Sequence, residues 1–275
     1  MPLQLGCNYS PALIYLMGRD AADVDWIKLS RSETVDGDLA LAGSVRPVLL
    51  HTLPRAGQRP ELWQSYDWAA MERRLRVASS PHIALHFDLV TDDWDCPPGA
   101  RPGGREEVQA MLARLAAGVR TVQEHLSVPV LVENMPYHDP RGGSPERKRI
   151  SLQPEAFWQV IEQTGAGLLL DASHLRCAAY HLGVDVRAYA RAFPLHAVRE
   201  IHVSGPALVP GKGLRDRHLA MQEEDYALLA WLLGHTEPAI VTLEYGGTGD
   251  GFDGPERNDP QVLEEQLRRL HGLLD

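Results

Sequence analysis

Short runs of apolar and β-branched residues recur along the whole chain. Eight runs have the length of strands, at residues 4–7, 24–29, 47–51, 82–87, 128–132, 167–170, 200–203 and 239–243. Segments with the apolar spacing of helices lie between them, among them residues 105–126, 154–164, 185–193 and 223–233. This alternation, with no linker that divides it, predicts one α/β domain over residues 1–275, a single (β/α)8 TIM barrel. A doubly wound sheet is the alternative.

The loops before and after the predicted strands differ in length. Connections that lead into strands are short, as at Ser79-Ser80-Pro81 and Thr164-Gly165. Connections that leave strands are long and rich in glycine and proline, at residues 91–104, 138–149, 205–217 and 246–260. In a TIM barrel the loops after the strands share the carboxyl face, where active sites lie. The long loops therefore predict a functional site at that face.

Composition excludes several classes of protein. The chain has no apolar run of membrane-spanning length, and its amino terminus lacks the pattern of a signal peptide, so we expect a cytoplasmic protein without membrane contact. Three widely spaced cysteines, Cys7, Cys96 and Cys177, indicate neither a disulfide framework nor a zinc-cysteine site. The formal net charge of −10 argues against a nucleic-acid partner.

Imidazole and carboxylate side chains mark the carboxyl ends of six consecutive predicted strands, the third to the eighth. Two more follow in the loop after the seventh strand, where Asp216 and His218 stand two apart and would share a face of an extended segment. With the histidine three residues beyond the sixth strand, the candidate ligands are His51, His86, Glu133, Asp171, His174, His202, Asp216, His218 and Glu244.

Each of these residues alone has an ordinary structural interpretation. Asp171 or Ser173 can cap the following helix, and a histidine at a strand end is commonly a hydrogen-bonded rim residue. Together, however, four carboxylates in one barrel mouth need cations to offset their repulsion and desolvation. Imidazole and carboxylate without thiolate suit Fe, Mn, Zn or Co, and nine ligands suffice for two or three ions. The pattern therefore predicts a multinuclear metal site.

Other residues near the predicted ligands are candidates for supporting roles. We assign catalytic roles to Glu133, His174 and Asp216 and substrate contacts to Asn134, His138 and Tyr245, although the last three are equally interpretable as structural neighbours. Lys28 is expected either to bind an anionic group or to form a buried ion pair. No serine stands in a G-x-S-x-G context and GKG at residues 211–213 is no P-loop, so other catalytic motifs are not indicated.

From about residue 47 to residue 247 the order of motifs resembles the xylose-isomerase-like superfamily of metal-dependent barrels. VRTVQEHLSVPVLVENMPY, EAFWQVIEQTGAGLLLD and PLHAVREIHVSG look like the multinuclear non-haem iron oxidases that modify cysteine-containing ribosomal peptides. DASH and DRH resemble endonuclease IV, a trinuclear zinc phosphodiesterase. The first resemblance implies an iron-dependent oxidoreductase with a peptide or small-molecule thiol substrate. It leaves open zinc or manganese as the metal and a partner protein that delivers the substrate.

The resemblance also implies how the ligands are shared among ions. One ion is held by His51, His86 and Glu133, and a second by Glu133, Asp171, His202 and Glu244, with Glu133 as the bridge. A third ion is held by His174, Asp216 and His218.

Two other functions stay open at this stage. A metal-dependent phosphodiesterase or sugar isomerase would use the same ligands, and a barrel that binds metal or a partner without turnover would need no open coordination position. The context of residues 119–137 and 155–171 and the acidic charge favour the oxidase over the nuclease.

Overall fold

A computed structural model describes residues 2–30, 35–97, 100–137, 147–248 and 254–274. Its strands are β1 (Gln4–Asn8), β2 (Trp26–Ser30), β3 (Val48–His51), β4 (Ile83–His86), β5 (Val130–Glu133), β6 (Gly167–Asp171), β7 (Val198–Val203), β8 (Gly205–Val209), β9 (Gly213–Leu219) and β10 (Ile240–Leu243). Its α-helices are α1 (Pro11–Met17), α2 (Val35–Gly43), α3 (Pro60–Gln64), α4 (Trp68–Ala78), α5 (Arg105–His125), α6 (Pro154–Thr164), α7 (Ala172–Leu182), α8 (Val186–Arg191), α9 (Glu223–Leu233) and α10 (Pro260–Leu274). In these ranges no helix is both long and apolar enough to cross a membrane.

Eight of the strands close into a parallel barrel in the order β1-β10-β7-β6-β5-β4-β3-β2. The predicted TIM barrel is therefore confirmed, and the doubly wound sheet is excluded. The eight strand predictions match the barrel strands to within about two residues at each end. The assignment of residues 1–275 to a single domain stays a prediction.

The segment after β7 differs from the prediction, which treated residues 205–217 as a loop. It forms an antiparallel hairpin of β8 and β9, in which Val209 pairs with Gly213. The turn is tight because Gly211 and Gly213 adopt positive φ angles of 70° and 73°, which other residues rarely reach. As a consequence Asp216 and His218 lie on an extended strand, as their spacing predicts.

Buried apolar residues in the described part of the barrel form two clusters. A large core lies between the strands and the helices, and a small separate cluster of Ala84, Leu131 and Leu169 fills part of the barrel interior. Because alternate residues of a strand share a face, each member of this small cluster lies two positions before a predicted ligand: His86, Glu133 and Asp171 respectively. The ligand layer therefore rests on a rigid packed layer.

A close approach of helix α5 fixes the segment that follows β3. Ala56 and Gly57 of that segment donate backbone hydrogen bonds to His86 and Asp88 of the neighbouring strand end, at 2.9 and 3.0 Å. A Cβ atom on Gly118 of α5 would lie 2.0 Å from the Ala56 carbonyl oxygen. Glycine at this position therefore lets α5 press this segment against the end of β4.

We expect Gly118→Ala to destabilise the protein by roughly 1–3 kcal/mol, because the added methyl group must displace backbone atoms. Gly37→Ala in α2 is the matched control, since a Cβ atom there meets nothing within 4 Å. We expect it to leave the free energy of unfolding unchanged or to raise it by up to about 1 kcal/mol through helix propensity. Urea unfolding measures both changes, and equal stability of the two variants would contradict the tight packing.

Candidate metal centre

The parallel register brings the predicted ligands to one level of the barrel mouth. His86 pairs with Glu133 across β4 and β5, and Asp171 pairs with His202 across β6 and β7. Glu133 is 1% exposed and lies at the centre of the set. All nine predicted ligands are thus described, and each has a nitrogen or oxygen atom within 4 Å of another member.

His51, His86 and Glu133 form a first set of ligands. The Nε2 atoms of His51 and His86 lie 3.0 and 3.4 Å from Glu133 Oε2. One ligand atom from each residue lies within 4.8 Å of the others, a spacing that a single ion can span. Burial lowers the pKa of His51 to about 3, so its imidazole is neutral at pH 7, as a metal ligand must be.

Glu133, Asp171 and His202 form a second set with the same mutual spacing of 4.8 Å or less. Buried atoms in these two sets are poorly satisfied by the described residues. Asp171 Oδ2 and His202 Nδ1 have no hydrogen-bond partner there, and Glu133 Oε2 meets only the imidazoles of His51 and His86. Unpaired buried polar atoms are costly, and their convergence on two small volumes fits metal ions as the missing partners. Burial by itself would raise the pKa of Glu133, but the neighbouring histidines His51, His86 and His174 hold it well below its usual range.

Asp171 serves the fold and the candidate site at once. Its Oδ1 atom accepts a 2.6 Å hydrogen bond from the His174 backbone N–H and so caps α7. Its Oδ2 atom is buried and has no hydrogen-bond partner in the described ranges. The two interpretations of Asp171, as a helix cap and as a ligand, are therefore compatible because each uses a different oxygen.

A third group is built around Asp216. Its Oδ2 atom lies 3.1 Å from His218 Nε2 and 3.5 Å from His174 Nε2, while Oδ1 accepts hydrogen bonds from the Ser173 and Ser204 hydroxyls. His218 has a φ of 48°, in the left-handed region that a bulky side chain rarely adopts. Strained backbone of this kind is concentrated at functional sites.

The contacts of the two ring nitrogens of His174 define its protonation. Its Nδ1 lies 2.8 Å from the Asn134 carbonyl oxygen, which can only accept, so Nδ1 carries the hydrogen and Nε2 faces Asp216. Burial alone would lower the pKa of His174, but Asp171, Asp216 and Glu133 around it raise the value to about 10. In the protein without metal this imidazole is therefore a cation that partly neutralises the mouth.

Lys28 forms a buried ion pair, one of the two outcomes predicted for it. Its Nζ atom contacts Glu244 Oε1, and both side chains are 4% exposed. The second oxygen of Glu244 lies 3.4 Å from His218 Nε2, while Oε1 lies 3.4 Å from His202 Nδ1. Burial lowers the pKa of Lys28, against the attraction of the surrounding carboxylates. Glu244 thus stands between the second and third groups, with a fixed cation already beside it.

Beneath the ligands lies a buried polar cluster of Glu200, His82 and Thr242 that the sequence reasoning missed. Glu200 Oε1 lies 3.1 Å from His202 Nε2, and Oε2 lies 2.6 Å from His82 Nε2. The signal was present in the EIH sequence of β7, because residues two apart on a strand share a face. A charged residue two positions before an inward ligand must also lie inside the barrel.

The three predicted substrate contacts have different surroundings. Asn134 exchanges hydrogen bonds with the backbone of Asp171, and the Tyr245 hydroxyl accepts from the Asp259 N–H. Both side chains are buried and hold neighbouring segments, and their role as substrate contacts stays a prediction. His138 lies outside the described residues.

A cavity of about 370 Å³ lies over the ligand set. Seven of the predicted ligands line it: His51, His86, Glu133, His174, Asp216, His218 and Glu244. Asp171 and His202 are completely buried below this floor. Lys28 and Arg147 add basic groups to the cavity wall. The ligand set can therefore be reached by a small molecule or by one side chain of a larger substrate.

Curated bacterial proteins are similar to part of this chain. A UPF0276 protein of Bordetella pertussis is 34% identical over 145 residues, which cover 50% of this chain and 48% of that protein. A UPF0276 protein of Caulobacter vibrioides is 32% identical over 140 residues, again 50% of this chain and 48% of that protein. The matches span about half the length of these relatives.

Solved structures share the fold over nearly the full length. The 3-keto-D-glucoside 4-epimerase YcjR of E. coli has a TM-score of 0.58 at 13% identity, covering 98% of this chain and 99% of its own. A xylose isomerase domain protein of Alicyclobacillus acidocaldarius has a TM-score of 0.57 at 14% identity, covering 99% and 98%. At these identities the likeness concerns the fold, which is the xylose-isomerase-like TIM barrel predicted from the sequence.

A family profile described as RiPP precursor modification enzyme MbnB/TglH/ChrH matches residues 107–249. RiPPs are ribosomally made peptides that are modified after synthesis. The matched segment runs from α5 past β10 and contains every predicted ligand except His51 and His86. Since it covers just over half of the 275 residues, the chain belongs to the MbnB/TglH/ChrH family of RiPP precursor modification enzymes.

Proposed function

We propose that this protein is a multinuclear non-haem iron oxidase that acts on a cysteine-containing peptide. The observation that carries the proposal is the position of Glu133, whose carboxylate belongs to both sets of closely spaced ligands. A carboxylate shared in this way can bridge two ions, and two adjacent ions can divide the activation of O₂ from the binding of substrate. Family membership supports a peptide as the substrate.

The donor set supports substrate sulfur as a ligand. The two closely spaced sets offer only imidazole nitrogen and carboxylate oxygen. Burial raises the pKa of the Cys7 and Cys177 thiols, so neither is a ready thiolate. A substrate cysteine would therefore bring the soft ligand that these sets lack. Bound iron would supply the one-electron chemistry with O₂ that amino-acid side chains cannot.

The residues of the chain hold and orient the reacting groups. Glu133 spans the two ligand sets, and the Ser173 and Ser204 hydroxyls hold Asp216 at 3.0 and 3.1 Å. Asp216 and His174 are the groups we propose for proton transfer, because Asp216 Oδ2 faces His174 Nε2 at 3.5 Å in the cavity floor.

Ligand type alone does not select iron, because zinc binds most nitrogen and oxygen sites more tightly than ferrous iron does. The choice of iron rests on the resemblance of residues 119–137 and 155–171 to peptide-modifying iron oxidases. A phosphodiesterase must also hold a polyanion, whereas this chain carries a formal charge of −10. A hydrolase or isomerase is therefore placed second.

We expect Glu133→Ala to lower the metal content of the purified protein by more than one equivalent, because a bridging carboxylate serves two ions. Elemental analysis by plasma mass spectrometry measures the loss. Glu107→Ala is the matched control, since Glu107 is also a buried glutamate but binds Trp94 and Gly103 outside the ligand set. Loss of one equivalent or none in the Glu133 variant would rule out the bridge.

The iron and zinc forms of the protein should differ in the reaction they catalyse. Apo-protein is loaded separately with Fe(II) under anaerobic conditions and with Zn(II), and each form is assayed for O₂ uptake with cysteine-containing peptides and for cleavage of abasic DNA. We expect O₂ uptake by the iron form, with no uptake when serine replaces the peptide cysteine, because the thiolate is the proposed ligand. Mass spectrometry of the peptide measures the accompanying oxidation.

The opposite result in the two assays would favour the phosphodiesterase over the iron oxidase. Strand cleavage by the zinc form, together with no O₂ uptake by the iron form across the peptide panel, would place the phosphodiesterase first. Equal O₂ uptake with the serine peptides would instead contradict the proposal that a substrate thiolate binds the metal.

A further inference from the structure

We infer that Glu200 is a positioning residue for the proposed metal centre. Its carboxylate orients His202 so that His202 binds an ion through Nδ1, and it belongs to a hydrogen-bonded layer beneath the ligands. This inference rests on the metal centre of the proposed function. Glu200, His82 and Thr242 do not line the cavity, and none of them belongs to the proposed ligand sets.

The contacts of Glu200 occupy both of its oxygens. Oε1 accepts from the Thr242 hydroxyl at 2.5 Å and lies 3.1 Å from His202 Nε2, while Oε2 lies 2.6 Å from His82 Nε2. Glu200, His202 and Thr242 are each at most 2% exposed. A carboxylate held at three points in this way has one orientation, so it fixes the groups that contact it.

Strand pairing explains why these residues meet. His202 pairs with Thr242 across β7 and β10, and Thr242 pairs in turn with Gly6 across β10 and β1. A Cβ atom on Gly6 would lie 2.6 Å from Thr242 Oγ1. Glycine at position 6 thus leaves the space in which the Thr242 hydroxyl reaches Glu200.

The consequence for His202 is a defined tautomer. A carboxylate oxygen can only accept, so His202 Nε2 carries the hydrogen and Nδ1 presents its lone pair. Nδ1 faces Glu133 Oε1 at 3.9 Å and Glu244 Oε1 at 3.4 Å, and it lacks a hydrogen-bond partner among the described residues. With the hydrogen on Nδ1 instead, the Nε2 lone pair would face a carboxylate. Glu200 therefore aims the free nitrogen at the second ligand set.

If Glu200 had a purely structural role, as the partner of buried His82, substituting it would have a different effect on metal binding. Loss of such a role would weaken folding and metal binding in general. Loss of a positioning role would weaken the ion that His202 binds and leave the ion at His51 and His86 nearly unchanged. Partner carboxylates of metal-binding histidines typically change metal affinity 10- to 100-fold.

The test titrates metal-free protein with Co(II) in the presence of a competing chelator and follows the optical absorption of the bound ion. In Glu200→Leu we expect one equivalent to bind roughly 10- to 100-fold more weakly, while the other stays within about threefold. Glu200→Gln keeps an acceptor for His202, so the loss should be smaller. Thr242→Val removes the hydroxyl at nearly constant shape and should weaken the same equivalent.

Glu107→Leu is the matched control, because it also removes a buried carboxylate with two described donors, Trp94 and Gly103. Thermal unfolding of each metal-free variant accompanies the titrations. Should Glu200→Leu fail to fold, the Gln and Thr242→Val variants decide the question alone.

The outcomes separate the two proposals. If the wild-type protein binds no Co(II), the proposed metal centre fails. If the wild type binds at least two equivalents and the Glu200 and Thr242 variants match it within threefold, only the positioning role fails. An equal weakening of all equivalents, as large as in the Glu107 control, would likewise overturn it in favour of a structural role.

Discussion

The structure depends on how one barrel interior accommodates five carboxylates. Glu133, Asp171, Glu200 and Glu244 are at most 3% exposed, and Asp216 is half-buried beside them. Buried negative charges at this spacing repel one another and lose their hydration, so they persist only with cations or strong donors close by. The described donors account for part of this need: Lys28 at Glu244, the serines at Asp216, and His82, His202 and Thr242 at Glu200. The carboxylate oxygens that the described residues satisfy poorly belong to Glu133 and Asp171, and the spacing of the ligands around them suits metal ions.

The same residues also build the scaffold, which is why the site is rigid. Asp171 caps α7 with one oxygen, and that cap brings His174 over the barrel mouth. Asn134 follows directly after Glu133 and ties the end of β5 to the backbone of β6. Substitutions at these positions therefore change stability and metal binding together, and comparison with remote buried carboxylates such as Glu107 is needed to separate the two effects.

Much of this arrangement is predictable from the sequence because parallel strands impose simple rules. Polar residues at the ends of apolar runs must share the carboxyl face of a barrel, so this rule alone names six of the nine candidate ligands. The other three, His174, Asp216 and His218, follow from their spacing in the segments after the sixth and seventh strands. The cluster under them could not be found with the same rule, because Glu200 meets His82 only across the barrel and Thr242 only across the pair of β7 and β10. The hairpin of β8 and β9 was also missed. Residues 205–213 contain Pro206, Pro210 and three glycines, a composition typical of a loop. The pairing of β8 with β9 depends on the positive φ angles of Gly211 and Gly213, which the sequence does not reveal.

Charge balance bears on the number of ions. With all histidines neutral, including His174 once it has given up its second proton, Lys28 and two divalent ions together supply as much positive charge as the five carboxylates supply negative charge. A third divalent ion would leave the interior with an excess of two positive charges, which anionic ligands such as a substrate thiolate and hydroxide would have to offset. Lys28 lies on β2, outside the segment shared with the family profile, and it binds the carboxylate that stands between the second and third ligand groups. On this charge count the described interior balances two divalent ions, and a third ion in the proposed centre would need an anionic ligand such as the substrate thiolate.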